Sequence, residues 1–490
     1  MLAARHRTYK PIKKFGIFLF FSLCIFQSAL LTASANELPN LGSSDLIEYT
    51  KEKEQVLGRA FKTALHNEYS VITDPDISNY IRRIGLQISR HTEDKRNFSF
   101  YIIQNPDINA FAGPDGIIGI HTGLIRAVNN EAELASVIAH EIAHVTQNHL
   151  SRSFELQSNS NVSNIASIIA AILIGMHDSS AGMATLMGSM GAKAQQQLKY
   201  SRAHESEADS TGISYLYKSG YNPFAMGDFF ARLSQEYQNS EFKPIEILQT
   251  HPVTEHRLAE AKNRAENYPP LIFKHENETL TLIKLRLQDL TGLNDETLNT
   301  TELNQSEKCY MNTLNLLKQT PVTFKHKELS CLKKAIKERP TQRLYQTLLF
   351  DSYLNPDIKN IPPEIIKQAE LSHDLYPQDP SILLRYTSLL IKAGQSLKAE
   401  QILINETPKH QYQSQLYKLL SGTYAQKGKL AEAYFYEALS YFNIGDIQRT
   451  NIFINKAKSL VKRDGSTLQA KIRHFETNYA NLLKDNNKDK

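Results

Sequence analysis

Four apolar segments of the chain differ in length and spacing, and they predict different elements. Residues 134–145 have apolar side chains at helical spacing and few charged ones, which predicts a buried helix. Residues 117–120 are rich in isoleucine and follow a Gly-Pro turn, which predicts a strand. Residues 15–31 and 165–176 are almost continuously apolar, and the second run is too short to cross a bilayer.

The segment 165–176 has two interpretations, and the sequence leaves both open. One is a core helix followed by the small-residue stretch 181–194. The other is a mobile flap over a cleft, which would touch a hydrophobic client or make a peripheral contact with a membrane.

Residues 1–35 have the pattern of a secretory signal peptide. Five cationic residues precede the apolar run 15–31, and Ala33-Ser34-Ala35 follows it, so we predict cleavage after Ala35. An uncleaved membrane anchor is the alternative, because the run approaches spanning length. Without these five of its 56 Lys and Arg residues, the mature chain has 51 cations against 51 acidic residues. A neutral chain gives no electrostatic reason to expect a nucleic-acid partner.

The composition changes in the middle of the chain. A helix is expected to end near Ala265, and Tyr268-Pro269-Pro270 and a polar stretch follow, so we predict a linker over 266–305. Beyond it, Gly394 and Gly428 are 34 residues apart, the period of tetratricopeptide helical hairpins. We predict a tetratricopeptide-repeat domain over 306–490, whose concave surface would bind proteins. A plain helical domain without a groove is the alternative.

The candidate chemistry lies in the buried helix, where residues 140–144 read His-Glu-Ile-Ala-His. His140 and His144 are one helical turn apart, so both imidazoles can reach one metal ion, a zinc ion by the HExxH pattern. Glu141 would then lie beside the ion and take a proton from water. A surface helix with two solvated histidines is the alternative, but its apolar neighbours argue against exposure.

A third protein ligand is needed for a catalytic zinc site. Glu205 and Asp209 share one face of a helix-like stretch, so we predict Glu205 as the ligand and Asp209 as the acceptor for the far ring N–H of a ligating histidine. His204 and Glu207 are the competing ligands.

These motifs resemble those of gluzincin metalloproteases of the HtpX/BepA type, which combine HExxH, a later ExxAD and Thr250-His251-Pro252. The resemblance covers nearly the whole mature chain. It implies that His251 lies on a loop over the active site and can occupy the fourth zinc position, which would hold the enzyme latent. A contact with the oxyanion during turnover and a plain loop histidine are the alternatives for His251. Arg257 would brace this loop.

The stretch 108–124 resembles the hairpin that precedes the metal helix in such enzymes. An edge strand beside the metal can bind a peptide as an additional strand, so we expect Asn109, Ala110 and Phe111 to contact substrate. A purely structural hairpin is the alternative. His121 and His149 are expected to pack rather than to bind metal.

Cleavage of the signal peptide would remove Cys24 and leave Cys309 and Cys331. In an oxidising compartment this pair predicts a disulfide, and two free buried thiols are the alternative.

The predicted fold is an α+β gluzincin-type metallopeptidase domain over 36–265, mostly helical with a small sheet, followed by the all-α repeat domain. The resemblance implies a periplasmic zinc endopeptidase with one Zn²⁺ per chain and a chaperone-like role. Its expected partners are unfolded or stalled outer-membrane proteins and, through the repeats, the outer-membrane assembly machinery. Two other functions stay open: a repeat-based chaperone or docking protein with a mostly silent metal site, and a zinc hydrolase of cell-wall peptides.

Overall fold

The computed structural model describes residues 51–155, 202–239, 245–270, 277–293, 298, 300–319, 326–410, 414–461 and 467–484. The predicted signal peptide with its cleavage site after Ala35 and the apolar segment 165–176 lie outside these residues.

Four short strands form a single mixed sheet in the N-terminal half of the described chain. They are β1 (Val71–Ile72), β2 (Ser99–Ile103), β3 (Ala110–Ala112) and β4 (Ile117–His121), and their order across the sheet is β1-β2-β4-β3. β2 and β4 run parallel, with Ser99 opposite Ile117, whereas β3 is antiparallel to β4, with Phe111 opposite Gly119. The isoleucines of β4 are fully buried, which explains why this short strand reads as continuously apolar.

Helices surround this sheet. In chain order they are α1 (Lys51–Glu68), α2 (Pro75–Ser89), α3 (Thr122–Ala127), α4 (Glu131–Thr146), α5 (His149–Glu155), α6 (Arg202–Lys218), α7 (Ala225–Asn239), α8 (Glu246–Thr250) and α9 (Glu255–Glu266). The expectation of a mostly helical fold with a small sheet is confirmed. The predicted buried helix is α4, which begins at the N-cap Asn130 and packs along α6.

The described residues of the C-terminal half form helices joined by turns and loops, with no strand among them. Its helices are α10 (Asn277–Thr291), α11 (Gln305–Leu317), α12 (His326–Glu338), α13 (Arg343–Leu354), α14 (Pro363–Leu375), α15 (Pro380–Lys392), α16 (Ser396–Glu406), α17 (Ser414–Gln426), α18 (Leu430–Asn443), α19 (Ile447–Leu460) and α20 (Thr467–Lys484). Successive helices pack against each other, as α17, α18 and α19 do.

The glycines that mark the 34-residue period lie between these helices. Gly394 and Gly428 follow α15 and α17, and Gly445 follows α18, with φ angles of 78°, 71° and 82°. A left-handed residue after a helix ends it, and glycine adopts this conformation without steric cost. The sequence period therefore coincides with the turns of helical hairpins.

The interval predicted as a linker contains α10, which is packed rather than exposed. Lys284 is buried and its Nζ donates to the carbonyls of Arg126 and Val128, both at 2.8 Å. Arg286 is buried as well and lies 2.8 Å from Asp74. One hydrophobic core extends from the sheet and α4 through α10 into the helices up to α16. The domain boundaries stay a prediction, but this part of the interval is a core helix.

Cys309 of α11 and Cys331 of α12 are joined by a disulfide in the structure, with Cα atoms 6.0 Å apart. The bond links two helices that also pack on each other.

Candidate metal centre

The two histidines of the metal motif lie on α4, one turn apart. His140 and His144 are 2% and 1% exposed, and their Nε2 atoms are 2.9 Å apart. A separation of about 3.3 Å is what a tetrahedral ion at a Zn–N distance of about 2.0–2.1 Å would impose on two of its ligands. The two ring nitrogens therefore converge on one point, as the spacing predicts.

Glu205 reaches the same point from α6. Its carboxylate oxygens lie 3.5 Å from Nε2 of His140 and 3.5 Å from Nε2 of His144. The approach of α6 to α4 depends on Gly212, where an added Cβ would lie 3.2 Å from the backbone nitrogen of His140. Sequence reasoning missed Gly212, because a glycine inside a helix does not show what packs against it.

His251 supplies the fourth donor of the cluster. Nδ1 of His251 lies 3.1 Å from Glu205 and 3.3 Å from Nε2 of His140, and the ring is 3% exposed. One donor atom from each of His140, His144, Glu205 and His251 lies within 4.8 Å of the others. Among the described residues, this is the only such buried group of histidine, cysteine and carboxylate donors. Nitrogen and carboxylate donors in this number suit a zinc ion.

Asp209 lies on the far side of His140. Its Oδ1 is 3.0 Å from Nδ1 of His140, the position that the sequence predicted. Burial opposes a charged ring, but the hydrogen bonds with Asp209 and Glu205 outweigh it and raise the pKa of His140 to about 10. The carboxylates of Asp209 and Glu205 thus favour a positive charge next to His140, which is the electrostatic requirement of a metal site.

Glu141 faces the cluster from the same helix. Burial raises the pKa of its carboxyl, and the nearby His251 ring opposes the shift. Nε2 of His251 lies 3.6 Å from Oε1 of Glu141, and the backbone amide of Ala112 in β3 also contacts the carboxylate. The candidate base thus lies between the metal donors and the strand that is predicted to bind substrate.

The competing ligands lie elsewhere. Neither His204 nor Glu207 belongs to the four-donor cluster. Oε2 of Glu207 is 3.1 Å from Nε2 of His149 and 3.0 Å from Arg152. The ring of His204 stacks on that of His149 at a centroid distance of 4.3 Å.

His149 is more than a packing residue. It is fully buried, and its Nδ1 lies 2.8 Å from Nδ1 of His144. Sequence reasoning did not find this contact, because positions five residues apart do not share a face of a continuous helix. His121, by contrast, packs as expected: it is fully buried with its ring against Phe111.

The predicted substrate strand β3 pairs, within the part of the chain that the structure describes, only with β4. The carbonyl of Asn109 accepts from the N–H of His121, and the N–H of Gly113 donates to the carbonyl of Ile117. The backbone N–H and C=O groups of odd-numbered residues therefore point toward β4. Even-numbered backbone groups point away from it. There the N–H of Ala110 donates to Oδ1 of Asn109 at 2.9 Å, and the carbonyl of Ile108 accepts from Ile247 of α8 at 3.0 Å.

The fold and the donor set define a metal-dependent peptidase of the HExxH class. The chain belongs to peptidase family M48, whose sequence profile matches residues 73–265. It is 31% identical over 447 residues to the beta-barrel assembly-enhancing protease of Escherichia coli, a match that covers 89% of this chain and 90% of that one.

Two further relatives are similar over shorter regions. A Vibrio cholerae protein, described provisionally as the same protease, is 39% identical over 253 residues, which span 51% of this chain and about half (52%) of that protein. The mitochondrial metalloendopeptidase OMA1 of Bos taurus is 29% identical over 180 residues, 36% of this chain and 32% of its own length. None of the described helices has the length and apolar character that crossing a membrane requires.

Proposed function

We propose that this metalloprotease is a zinc endopeptidase with one Zn²⁺ per chain, held by His140, His144 and Glu205. The observation that carries the proposal is the convergence of these three buried side chains with a fourth donor, His251, from a separate loop. Three protein ligands with one exchangeable position characterise catalytic zinc sites, whereas four permanent ligands characterise structural ones. Catalysis by this site therefore requires that His251 leave the fourth donor position.

The chain's own residues supply the acid–base chemistry. A bound zinc ion would act as a Lewis acid toward water and toward the scissile carbonyl. Glu141 accepts the proton of the attacking water and returns it to the leaving amine. Burial raises the pKa of Glu141, which suits a group that must both take up and release a proton. Asp209 keeps the proton of His140 on Nδ1, so that Nε2 faces the ion.

The resting enzyme is latent in this proposal. Nδ1 of His251 fills the fourth donor position, which the attacking water would otherwise occupy. Nε2 of the same ring lies near the carboxylate of Glu141, the proposed base. Arg257 anchors the loop by donating to the carbonyl of Pro252 at 2.7 Å while its Nη1 lies 2.9 Å from Glu205. Loop displacement would open the position that water needs.

The same loop lies on the expected substrate strand. Ile247 donates to the carbonyl of Ile108, and Oγ1 of Thr250 lies 3.3 Å from Oδ1 of Asn109. An extended peptide added to the outer side of β3 would need that carbonyl as an acceptor. Departure of the loop would therefore open the fourth donor position and, at the same time, expose the outer side of β3. Asn109, Ala110 and Phe111 could then bind substrate. Backbone pairing of this kind selects extended chains rather than a particular sequence.

The wider role follows from the relatives. The name of the Escherichia coli relative assigns it a part in β-barrel assembly, and the match covers both halves of this chain. We therefore assign this protein to the periplasm, with unfolded or stalled outer-membrane proteins as substrates or clients. The helices of 306–490 form the proposed tetratricopeptide-repeat domain, which would dock on the assembly machinery. The helical hairpins, with left-handed glycines at three of their turns (Gly394, Gly428 and Gly445), support this assignment.

The deciding experiment is cleavage of casein and of an unfolded outer-membrane protein by the purified mature chain, with zinc content measured in each sample. We expect slow cleavage by the wild type, faster cleavage by His251→Ala, and none by Glu141→Gln with its zinc retained. If all three hold zinc and none cleaves, the chain is a chaperone or docking protein with a silent metal site. If cell-wall peptides are cleaved instead of proteins, the alternative hydrolase function holds.

A further inference from the structure

His149 lies against the edge of His144 that points away from the metal donors. The two Nδ1 atoms are 2.8 Å apart, while Nε2 of His144 is 2.9 Å from Nε2 of His140. His144 therefore has one nitrogen in the donor cluster and the other on His149. Both rings are buried.

The positions of the protons follow from this geometry. An imidazole that binds a metal through Nε2 carries its proton on Nδ1, so His144 donates to His149. Nδ1 of His149 must then be the acceptor, and its proton is on Nε2. That nitrogen lies 3.1 Å from Oε2 of Glu207, which accepts. A single assignment of protons thus satisfies both nitrogens of His149 and fixes the tautomer of His144.

Local structure explains how a residue five positions after His144 comes back to it. α4 ends at Thr146, and Asn148 has a φ of 54°, a left-handed conformation that asparagine tolerates better than most residues. Arg96 holds this turn by donating to the carbonyl of Val145 at 3.1 Å and to Oδ1 of Asn148 at 2.7 Å.

The face of the His149 ring and the carboxylate at its Nε2 are also held in place. His204 stacks on it with ring planes 12° apart. Arg152 donates to the same oxygen of Glu207 that contacts His149, at 3.0 Å, and so orients the carboxylate.

We propose that His149 is a positioning residue that acts through His144, and that Glu207 holds His149 in the tautomer this requires. The two ligand histidines are then oriented differently: His140 directly by the carboxylate of Asp209, and His144 by an imidazole backed by a carboxylate. The inference rests on the proposed function, because it requires a metal ion on Nε2 of His144.

The test compares zinc binding by two variants of His149, each of which keeps a polar group at the position of only one of the two ring nitrogens. Asn in place of His149 keeps an acceptor near the position of Nδ1, whereas Gln keeps a polar group near the position of Nε2. Zinc affinity is measured on the full mature chain by competition with a chromophoric chelator. We expect the dissociation constant to rise about 10- to 100-fold in His149→Gln and in His149→Leu, and to stay within a few-fold of wild type in His149→Asn. Glu207→Ala should give an intermediate loss.

Controls separate orientation from general loss of stability. His121→Leu removes a different fully buried histidine and should leave zinc affinity unchanged even if it lowers the unfolding temperature of the zinc-free protein. The proposal is overturned if His149→Gln and His149→Asn bind zinc equally well, or if both match the wild type. A wild-type chain that binds no zinc would instead overturn the proposed function itself. Because Glu207 is partly exposed, Glu207→Ala serves if His149→Leu does not fold.

Discussion

Arg257 donates hydrogen bonds to both carboxylate oxygens of Asp209, from Nε at 2.8 Å and from Nη2 at 2.9 Å. Its remaining nitrogen lies 2.9 Å from Glu205. One guanidinium therefore fixes a predicted metal ligand and the residue that orients another ligand. Nearby carboxylates raise the pKa of Arg257 against the effect of burial, so it stays charged.

Replacing Arg257 by Lys should weaken zinc binding about tenfold or more, because an ammonium group is a single compact donor and cannot bridge two carboxylates. Chelator competition measures the effect. Arg264→Lys is the matched control, since Arg264 lies on the same helix but pairs with Glu260 near the surface. Equal losses of zinc affinity in both variants would contradict the bridging role.

The contact between Ile247 and Ile108 leads to a prediction about latency that leaves the metal donors intact. Ile247→Pro removes the N–H that donates to Ile108, so the loop should leave β3 more readily and casein cleavage should become several-fold faster. Ile247→Ala removes the buried side chain but keeps the N–H, and it should be activated less. An Ile247→Pro chain that holds zinc and is no faster than Ile247→Ala would show that this hydrogen bond does not restrain the loop.

The packing of α6 on α4 predicts that Gly212→Ala is harmful, although alanine is the better helix former. The added Cβ would meet the backbone at His140 and Ala139 at 3.2 and 3.3 Å, and backbone cannot move aside cheaply. We expect a loss of about 1–3 kcal/mol in the free energy of unfolding, together with weaker zinc binding as Glu205 shifts.

Gly227→Ala is the control for that prediction. The three atoms nearest to its added Cβ all belong to Lys262, and the nearest lies in that flexible side chain at 3.3 Å, so stability should be unchanged or slightly higher. If denaturant unfolding gives the same result for both glycines, helix propensity rather than the close approach determines the effect at Gly212.

Sequence periodicity could predict which candidate residues share a helix face, His140 with His144 and Glu205 with Asp209, but not how the elements that carry them meet. His140 and His144 follow from spacing alone, because one turn of α4 fixes their relative position. His251 comes from a distant loop, and only the family resemblance suggested its place. His149 was missed because the left-handed Asn148 breaks the helix between it and His144.

The packed helix α10 was missed for a different reason. Lys284 and Arg286 interrupt its apolar pattern and suggest exposure, yet both are buried. Backbone carbonyls and Asp74 satisfy their charges, and these partners are far away in sequence. Tyr268-Pro269-Pro270 and the polar stretch after Gly292 indicated a linker, and nothing in the local sequence showed the tertiary partners that allow α10 to be a core helix.

The two halves of the chain share a buried charge cluster around Asp76 of α2. Arg385 of α15 approaches Asp76 at 2.8 Å, and Arg286 of α10 approaches it at 3.5 Å. Asp76→Ala would leave two buried guanidinium groups short of a partner, and we expect a loss of about 3–5 kcal/mol in the free energy of unfolding. Asp374→Ala at the surface should change it by less than about 0.5 kcal/mol. Asp74 contacts Arg286, and Asp351 lies 3.0 Å from Arg286 and 2.6 Å from Arg385, so a small effect of Asp76→Ala in denaturant unfolding would mean that these two carboxylates suffice to neutralise both arginines.

Burial of His121 predicts that stability is lost in mild acid. Desolvation lowers the pKa of this ring from 6.5 to about 4, so the folded chain keeps it neutral where the unfolded chain protonates it. Above pH 6.5 neither state binds the proton and the contribution to stability is complete; it is lost as the pH falls from 6.5 toward 4.

The variant His121→Leu removes this proton uptake. Between pH 6.5 and about 4.5, its free energy of unfolding should fall by roughly 1–2 kcal/mol less than that of the wild type. Denaturant unfolding of the zinc-free chain at the two pH values measures the difference and keeps metal release out of the result. His256→Gln, at a ring that is 85% exposed, should have the same pH dependence as the wild type. If the wild type and His121→Leu lose stability in parallel, other buried groups such as His66, whose pKa burial also lowers to about 4, cause the acid sensitivity.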